Sequence, residues 1–393
     1  MPWPVHPTGF LGTRGDEDSY KIERSLRFNS ADSAYLSRTP ASAGNRRTFT
    51  FSCWIKRGSI STANNQEILS AYTGTNSDSG IFDFNLSTSN TLTFGGYSTT
   101  WFVTSQLFRD VSAWYHIILS IDSTQSTASN RLKLYVNGSE VTSFSTINYP
   151  TLNQDFAINT TSSHQIGRYS FVSSYYFDGY LTEINFIDGQ ALTPSSFGET
   201  DSITGRWKAK AYSGTYGTNG FYLKFADNSG TTSTTLGKDS SGNGNNWTPN
   251  NFSVATGADN DSLIDSPTNN GTSGNYATLN PLDKYSSVSA SDGNLLGSLS
   301  SQLNGAGGIR SSAGVSSGKW YWEVTAGTMP SARPYLFIGV DKTTDGNASS
   351  LNGVGSGGIA SSYVYYPSNK QNNNSASSYG SSFTTNEIGR AHV

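Results

Sequence analysis

The stretch SLRFNSADSAYLSRTPASAGNRRTFTFSCWIKRG, residues 25–58, is answered by FDGYLTEINFIDGQALTPSSFG, residues 177–198, and this pair decides the fold. Both alternate apolar and polar side chains at period two, as strands do when one face lies on a core. In the first, Phe49, Phe51, Cys53 and Ile55 share a strand face, which makes the lone Cys53 an inert core thiol. Further strand signals recur at short intervals, set apart by Gly, Asn, Ser and Asp clusters. They cover residues 25–30, 34–39, 49–57, 66–72, 81–87, 91–96, 114–122, 131–141, 156–161, 163–169 and 180–188. Asn137-Gly138 marks a tight hairpin, because both residues tolerate the positive φ of a type I′ turn. Eleven short strands with almost no helical period predict two antiparallel sheets packed face to face. The fold class is all-β.

Length and composition limit the function. A chain of 393 residues, 34% hydrophobic and 13% aromatic, fills two or three cores. Only 13% of it is charged, so Ser, Thr, Asn and Gly make the polar surface and favour turns over helices. A net charge of −3 without a basic cluster argues against nucleic acid and anionic membranes, which need gathered Lys and Arg. A single Cys excludes internal disulfides and Cys-based zinc. No apolar run approaches the ~20 residues of a membrane span, and MPWPVHPTGFLGT lacks the basic start and apolar stretch of a secretory signal.

Texture divides the chain into four parts. Residues 1–22 read as an N-terminal arm, with Trp3 and Phe10 to dock on a neighbour, and residues 23–200 as the sandwich. Residues 201–275 read as a connector rich in Gly, Asn and Ser that adds a strand to either neighbour, and residues 276–393 as a second module.

Particular motifs resemble known families. WYHIILSIDSTQSTASNRLKLYVNGSEV (114–141) is similar to the central hairpin of laminin-G-like and pentraxin-like domains. FDGYLTEINFIDGQALTPSSF (177–197) is similar to their closing strand, where a Gly lets the chain cross the sheet and Leu-Thr-Pro opens a helical turn. The resemblance implies a concanavalin A-like antiparallel β-sandwich, or jelly roll, for residues 23–200. DSSGNGNNW (239–247) resembles a signature from the start of the same family, although no second copy follows. SSGKWYWEVTAGTMPSARPYLFIGVD (316–341) and YGSSFTTNEIG (379–389) resemble a SPRY domain, a second β-sandwich. The chain stops at Val393 with several SPRY strands still to run, so this module reads as incomplete. The closing IGRAHV also matches the translation of a widely used sequencing-adaptor end, as in an assembled environmental fragment.

The residue patterns speak against catalysis. Glycosidases on this kind of sandwich set carboxylates at alternate positions of one strand, flanking the scissile bond. Glu183 and Asp188 stand five apart, an odd interval that sends them to opposite faces. Asp16, Glu17 and Asp18 form a solvated charge run. His116 lies between apolar neighbours without a nucleophile motif, and GVGSGGIASS (353–362) lacks the Lys of a phosphate loop.

Binding residues are better represented. The resemblance to pentraxins implies calcium held by Asn65 and Glu67 of NNQEILS and by Asp178, with Arg168 standing where further acids belong. No other cofactor is expected. Carbohydrate sites pair exposed rings with amides and carboxylates, and GGYSTTWF (95–102) and FVSSYYFDGY (171–180) offer Tyr97, Trp101, Tyr175, Tyr176 and Asp178 in that company. The same rings equally suit packing on an adjoining module or subunit.

Jelly roll followed by SPRY-like sandwich, without export signal or catalytic constellation, resembles the structural proteins of marine tailed bacteriophages. The resemblance implies a non-catalytic adhesion module of a virion, repeated as a homo-oligomer, that binds cell-surface glycan. The alternatives are a decoration protein that binds only other virion subunits, and a lectin-like module of a secreted bacterial protein.

Overall fold

The computed structural model describes residues 20–60, 62–269 and 273–299. Beyond them it describes residues 308–315, 317, 320–327, 338–340, 363–366, 369–372, 375–378 and 388–392. The arm, with Trp3, Phe10 and the acids at 16–18, lies outside the described residues, as does the Gly-rich stretch 353–362. Described residues up to Asn275 make one compact unit, and those from Tyr276 onward belong to another.

The first unit is built from eighteen strands in chain order. They begin with β1 (Ser25–Phe28), β2 (Tyr35–Arg38), β3 (Thr48–Arg57), β4 (Gln66–Tyr72), β5 (Ile81–Leu86) and β6 (Leu92–Gly95). Next come β7 (Thr100–Thr104), β8 (Trp114–Asp122), β9 (Leu132–Val136), β10 (Ser139–Glu140), β11 (Phe144–Ile147) and β12 (Ser163–Ile166). The last are β13 (Gly179–Asp188), β14 (Gly198–Thr200), β15 (Trp207–Ala209), β16 (Phe221–Leu223), β17 (Thr248–Asn250) and β18 (Ser262–Leu263).

Sixteen of these strands form two eight-stranded antiparallel sheets, and β14 pairs with β15 alone. Sheet 1 runs β10-β9-β8-β3-β13-β1-β18, with β16 on the far half of β13, and sheet 2 runs β11-β7-β6-β5-β4-β12-β2-β17. Helix is confined, among the described residues, to two 3-10 turns at Ala128–Asn130 and Pro194–Ser196. The architecture is the concanavalin A-like sandwich.

Local chemistry explains the joints. Asn137 and Gly138 take φ of 48° and 82°, the left-handed pair that turns β9 into β10. Gly179 opens β13 at φ 149°, and a Cβ there would lie 2.3 Å from the Lys56 carbonyl oxygen, so only Gly admits the close β3–β13 approach. Between the sheets, Phe49 meets Phe82 and Phe51 meets Phe84 edge-on at 5.9 and 6.2 Å. Cys53 is buried in the same core, which burial makes a poor thiolate former.

Three features depart from the sequence reading. Residues 156–161 are not a strand but a turn, whose Phe156, Ala157 and Ile158 plug the core. Two strands, β7 and β11, go unmarked by period because TWFVT and FSTI do not alternate apolar and polar residues. The third is the largest. Residues 201–275 are no simple connector: β16 pairs with β13, β17 with β2 and β18 with β1, while Trp247 is buried against Phe221 at 4.9 Å.

These later residues also cover the outer face of sheet 1. The alternation of β3 reads as one wet face, yet every β3 residue after Thr48 is buried. Thr50, Ser52, Trp54 and Lys56 lie beneath segments 192–216 and 262–275. The Lys56 ammonium, wholly buried, reaches Asp265 at 2.7 Å and Asn275 at 2.9 Å, and Trp114 Nε1–H donates to the other Asp265 oxygen at 3.0 Å. Arg27, equally buried, pairs with Asp261 at 3.0 Å.

The second unit contains β19 (Leu279–Lys284) paired with β22 (Ile309–Ser311), and β20 (Val288–Ser291) paired with β21 (Leu296–Leu299). The YWEVT strand, β23 (Tyr321–Thr325), pairs with β28 (Ile388–His392). A four-stranded sheet joins β24 (Ile338–Val340), β25 (Tyr363–Tyr366), β26 (Asn369–Asn372) and β27 (Ser375–Ser378).

The buried pairs predict where the first unit ends. Asp265→Ala removes the counter-charge of the Lys56 ammonium and should cost about 3–5 kcal/mol in urea unfolding. A fragment of residues 23–200 should be molten or insoluble, whereas residues 20–275 should unfold in one cooperative transition by circular dichroism.

Candidate functional site

Sheet 2 differs from sheet 1 in what covers its outer face. There the side chains of Tyr35, Ser37, Gln165, Ser70, Tyr72, Asp83 and Asn85 alternate with the inward Leu36, Ile166, Leu69, Ala71, Phe82 and Phe84. Loop 168–177 crosses part of this face. Ser70 pins it, donating Oγ–H to the Arg168 carbonyl at 2.8 Å and accepting from Ser170 N–H at 2.9 Å, while Glu67 N–H donates to the Tyr175 carbonyl at 3.2 Å.

The loop lays down a run of rings. Phe171 packs edge-on against Tyr72 at 5.0 Å and against Tyr97 at 6.5 Å, and its other neighbour Tyr169 stacks on Tyr175 at 5.9 Å with planes 6° apart. Beside them the Arg168 guanidinium sits 3.8 Å over the Tyr35 ring, which also meets Tyr176. Tyr97 is 52% exposed, and the other rings are half-buried.

The Tyr97 turn is rigidly based. Asp78 accepts hydrogen bonds from the N–H and hydroxyl of both Ser98 and Thr99, and these bonds outweigh partial burial to hold its carboxyl below the usual range. A ring on such a base loses little freedom when a ligand arrives.

Of the five residues expected to touch sugar, three share this face. Tyr97, Tyr175 and Tyr176 belong to the ring cluster. Trp101 does not: the register slips between Phe94 and Gly95, so Trp101 is the extra residue of a bulge and turns inward beside Phe102. It is 4% exposed and packs on Phe156 at 5.9 Å. Asp178 is engaged in the fold, accepting from Ser30 Oγ–H at 2.9 Å and lying against Gly58. Tyr35, Tyr72, Arg168, Tyr169 and Phe171 are the members that sequence reading missed. Each occupies the polar-face position of a strand or a loop, and only cross-strand pairing gathers them.

The expected calcium ligands do not converge. Asn65 Oδ1 accepts from Thr88 N–H at 3.3 Å in the turn after β5, Asp178 binds Ser30, and Glu67 is buried at a third place. A one-residue slip between Glu67 and Leu69 leaves the Phe84 N–H to the Glu67 carboxyl, which accepts it at 3.0 Å. A pentraxin-like set therefore does not fit here, and among the described residues no three His, Cys, Asp or Glu side chains are grouped to hold a metal.

Glu67 instead meets Asp83 of the neighbouring strand, carboxyl to carboxyl in hydrogen-bond contact. Burial first, and the Asp83 charge second, push Glu67 well above the usual carboxylate range, and burial raises Asp83 too. Asn85 donates to Asp83 from its amide nitrogen. Glycosidase pairs stand about 5 Å or more apart to admit a sugar, and a pair in direct contact does not.

The outer face of sheet 1 holds polar groups that are likewise closed to substrate. Trp207 Nε1–H, a donor only, bonds His116 Nδ1 at 2.9 Å, so the imidazole proton is on Nε2 and is donated to Ser52 Oγ at 2.9 Å. His116 therefore cannot take a proton from Ser52. Burial pushes it down to about 3, and it stays neutral between the stacked Trp54 and Trp207. Asp188, on the inward side of β13 with Phe186, is occupied as well, accepting from the backbone N–H of Asn45 and Asn219 and from the Asn159 amide. Glu183 sits at φ 52° in a register slip of β13 and accepts from Tyr222 at 2.6 Å and Tyr20 at 2.7 Å.

Residues 29–196 match the family model of the concanavalin A-like lectin/glucanases superfamily. No curated protein matches the chain. Among solved structures, a putative carbohydrate binding protein from Bacteroides ovatus aligns at 16% identity, with TM-score 0.38, over 59% of this chain and 59% of that one. The chain thus spans about three-fifths of that protein. A heptameric SAP-like pentraxin from Limulus polyphemus aligns at 17% identity and TM-score 0.35 over 49% of this chain and 94% of its own. Domains LG4-5 of the mouse laminin alpha1 chain align at 12% identity and TM-score 0.30 over 45% and 44%. These are likenesses of fold alone.

Glu183 gives a measurable pH dependence. Burial raises it to about 7 against the lowering pull of its two tyrosine donors, from an ordinary 4.5. A carboxyl raised on folding contributes stability that is complete below the unfolded value and disappears as pH climbs through the folded one. Glu183→Gln should therefore gain on the wild type between pH 4.5 and 7, by roughly 3 kcal/mol at most, in denaturant titrations at a series of pH values.

Proposed function

We propose that the ring cluster on the outer face of sheet 2 binds cell-surface carbohydrate, and that the protein is a non-catalytic adhesion module. The observation that carries this reading is the continuity of Tyr97, Phe171, Tyr72, Tyr169 and Tyr175 on one sheet face, bordered by the Gln165 amide and the Arg168 guanidinium. Sugar rings offer flat C–H faces with a polar rim, and aromatic faces beside amides and charged donors are their complement. The matched superfamily is compatible with binding and with hydrolysis alike. Binding is favoured by the carboxyls of the face, which contact each other instead of flanking a cleft.

A virion is the setting we infer, from the resemblance of the jelly roll and the SPRY-like segment to tailed-phage structural proteins. An open, shallow face gives weak single contacts, which many copies on one particle multiply into avidity.

The full chain on a glycan array, followed by calorimetry on the best ligand, tests the reading. Tyr97→Ala combined with Phe171→Ala should weaken binding at least tenfold, the equivalent of about 1.4 kcal/mol, with the fold retained by circular dichroism. Silence across host polysaccharides would point to a protein-only partner, and undiminished binding by the variant would move the contact off this face.

A further inference from the structure

We propose that Lys56, Asp265 and Asn275 form an intramolecular isopeptide centre: the Lys56 amine displaces ammonia from the Asn275 side chain and leaves a Lys–Asn amide bond across the outer face of sheet 1.

The three groups that this reaction needs, an amine, an amide and an acid, meet at one buried point. Lys56 Nζ–H donates to Asp265 Oδ2 at 2.7 Å and to Asn275 Oδ1 at 2.9 Å. Asn275 Cγ is one C=O bond beyond that oxygen, so it lies within about 4.1 Å of the amine nitrogen. A small side-chain rotation closes that to attack distance.

The fold builds the meeting from both sides. Lys56 stands on β3 between its cross-strand partners, Trp114 of β8 and Tyr180 of β13. Opposite, a parallel bridge joins Asp265 to Gly274, so the acid and the neighbouring Asn275 arrive on adjoining backbone. Trp114 Nε1–H holds the second Asp265 oxygen at 3.0 Å, and Asn275 Nδ2–H donates to the Ser112 carbonyl at 2.7 Å, which turns the amide oxygen toward the lysine. Lys56 is wholly buried and Asp265 nearly so, beside rings that keep out competing water.

The reaction requires no co-reactant, and nothing is oxidised or reduced. Asp265 takes a proton from the Lys56 ammonium, and the freed lone pair attacks Asn275 Cγ to form the Nζ–Cγ bond. Asp265 returns that proton to Nδ2, the Cγ–Nδ2 bond breaks and ammonia departs. The proton then shed by the new amide nitrogen stays on Asp265. A buried ion pair is thereby exchanged for a neutral acid beside a neutral amide, which ends the desolvation cost of both charges. Asn275 is half-buried, which gives the ammonia a way out.

The bond joins residues 219 apart and fastens the last residue of the first unit to β3. Tension arriving from residue 276 onward then enters β3 directly instead of peeling away the two-residue β18. This holds whether or not the face of sheet 2 binds glycan.

The experiment is mass spectrometry of the full chain, purified and denatured. The intact mass should fall about 17 Da, one ammonia, below the value for the unmodified chain. A tryptic digest should contain a branched peptide that joins the Lys56 and Asn275 segments and is uncut at Lys56. Asn275→Ala, which keeps the Lys56–Asp265 pair, and Asp265→Asn should both show the full mass and no branch, and Asn275→Ala should melt roughly 10 °C below the wild type. If Asp265→Asn does not fold, Asn275→Ala remains the unreacted reference and the wild-type mass decides alone. A wild type at full mass overturns the proposal. So does loss of ammonia without the branched peptide, as a succinimide at an Asn-Gly turn would produce, and so does a branch that persists in folded Asp265→Asn.

Discussion

The Lys56 ammonium is wholly buried, and its counter-charge is Asp265, 209 residues further along the chain. An unpaired charge at that depth is prohibitively expensive, so the segment that delivers Asp265 must dock before the outer face of sheet 1 can close. The same segment brings Asp261 to the equally buried Arg27, and Asp265 also takes the Trp114 indole N–H. Sheet 1 is consequently a buried layer in the sense usual for parallel sheets, although all of its pairings are antiparallel. Its strongest-looking chemical groups are absorbed by that closure. His116 is stacked between two indoles, and Ser52 receives a proton instead of giving one up.

Sheet 2 carries the contrast. Its edges are extended by β17 and β11, but among the described residues its outer face is crossed by loop 168–177, held by a few hydrogen bonds to Ser70 and Glu67. Rings that would form a second core layer under a thicker cover remain half-exposed here, within reach of a ligand. The two faces thus differ in role because of what lies over them, since both carry the same Ser, Thr, Asn and aromatic residues.

Much of the fold was legible beforehand. The alternation in 49–57 and 180–188, the Asn137-Gly138 turn and the need for Gly at 179 are local properties, written in side-chain period and backbone freedom. They specify strands, hairpins and a Phe-lined interior, and the concanavalin A-like sandwich follows. Residues 156–161 misled because apolar alternation is common to a strand and to a turn whose side chains happen to point inward. Trp101 misled for a related reason: one bulge reverses the face of a single residue, and no period reveals a bulge.

The sequence by itself determined the class of structure, two antiparallel layers around aromatic side chains, because period-two patterning and turn chemistry act over a few residues. Which polar face would be sealed and which left open was decided only by the tertiary structure. Burial of Lys56 and Arg27 depends on acids more than two hundred residues away, and the gathering of Tyr35, Tyr72, Tyr97 and Phe171 depends on the register of strands from separate hairpins. Contacts across such distances are set by packing and charge pairing in three dimensions, and they leave no periodic trace along the chain.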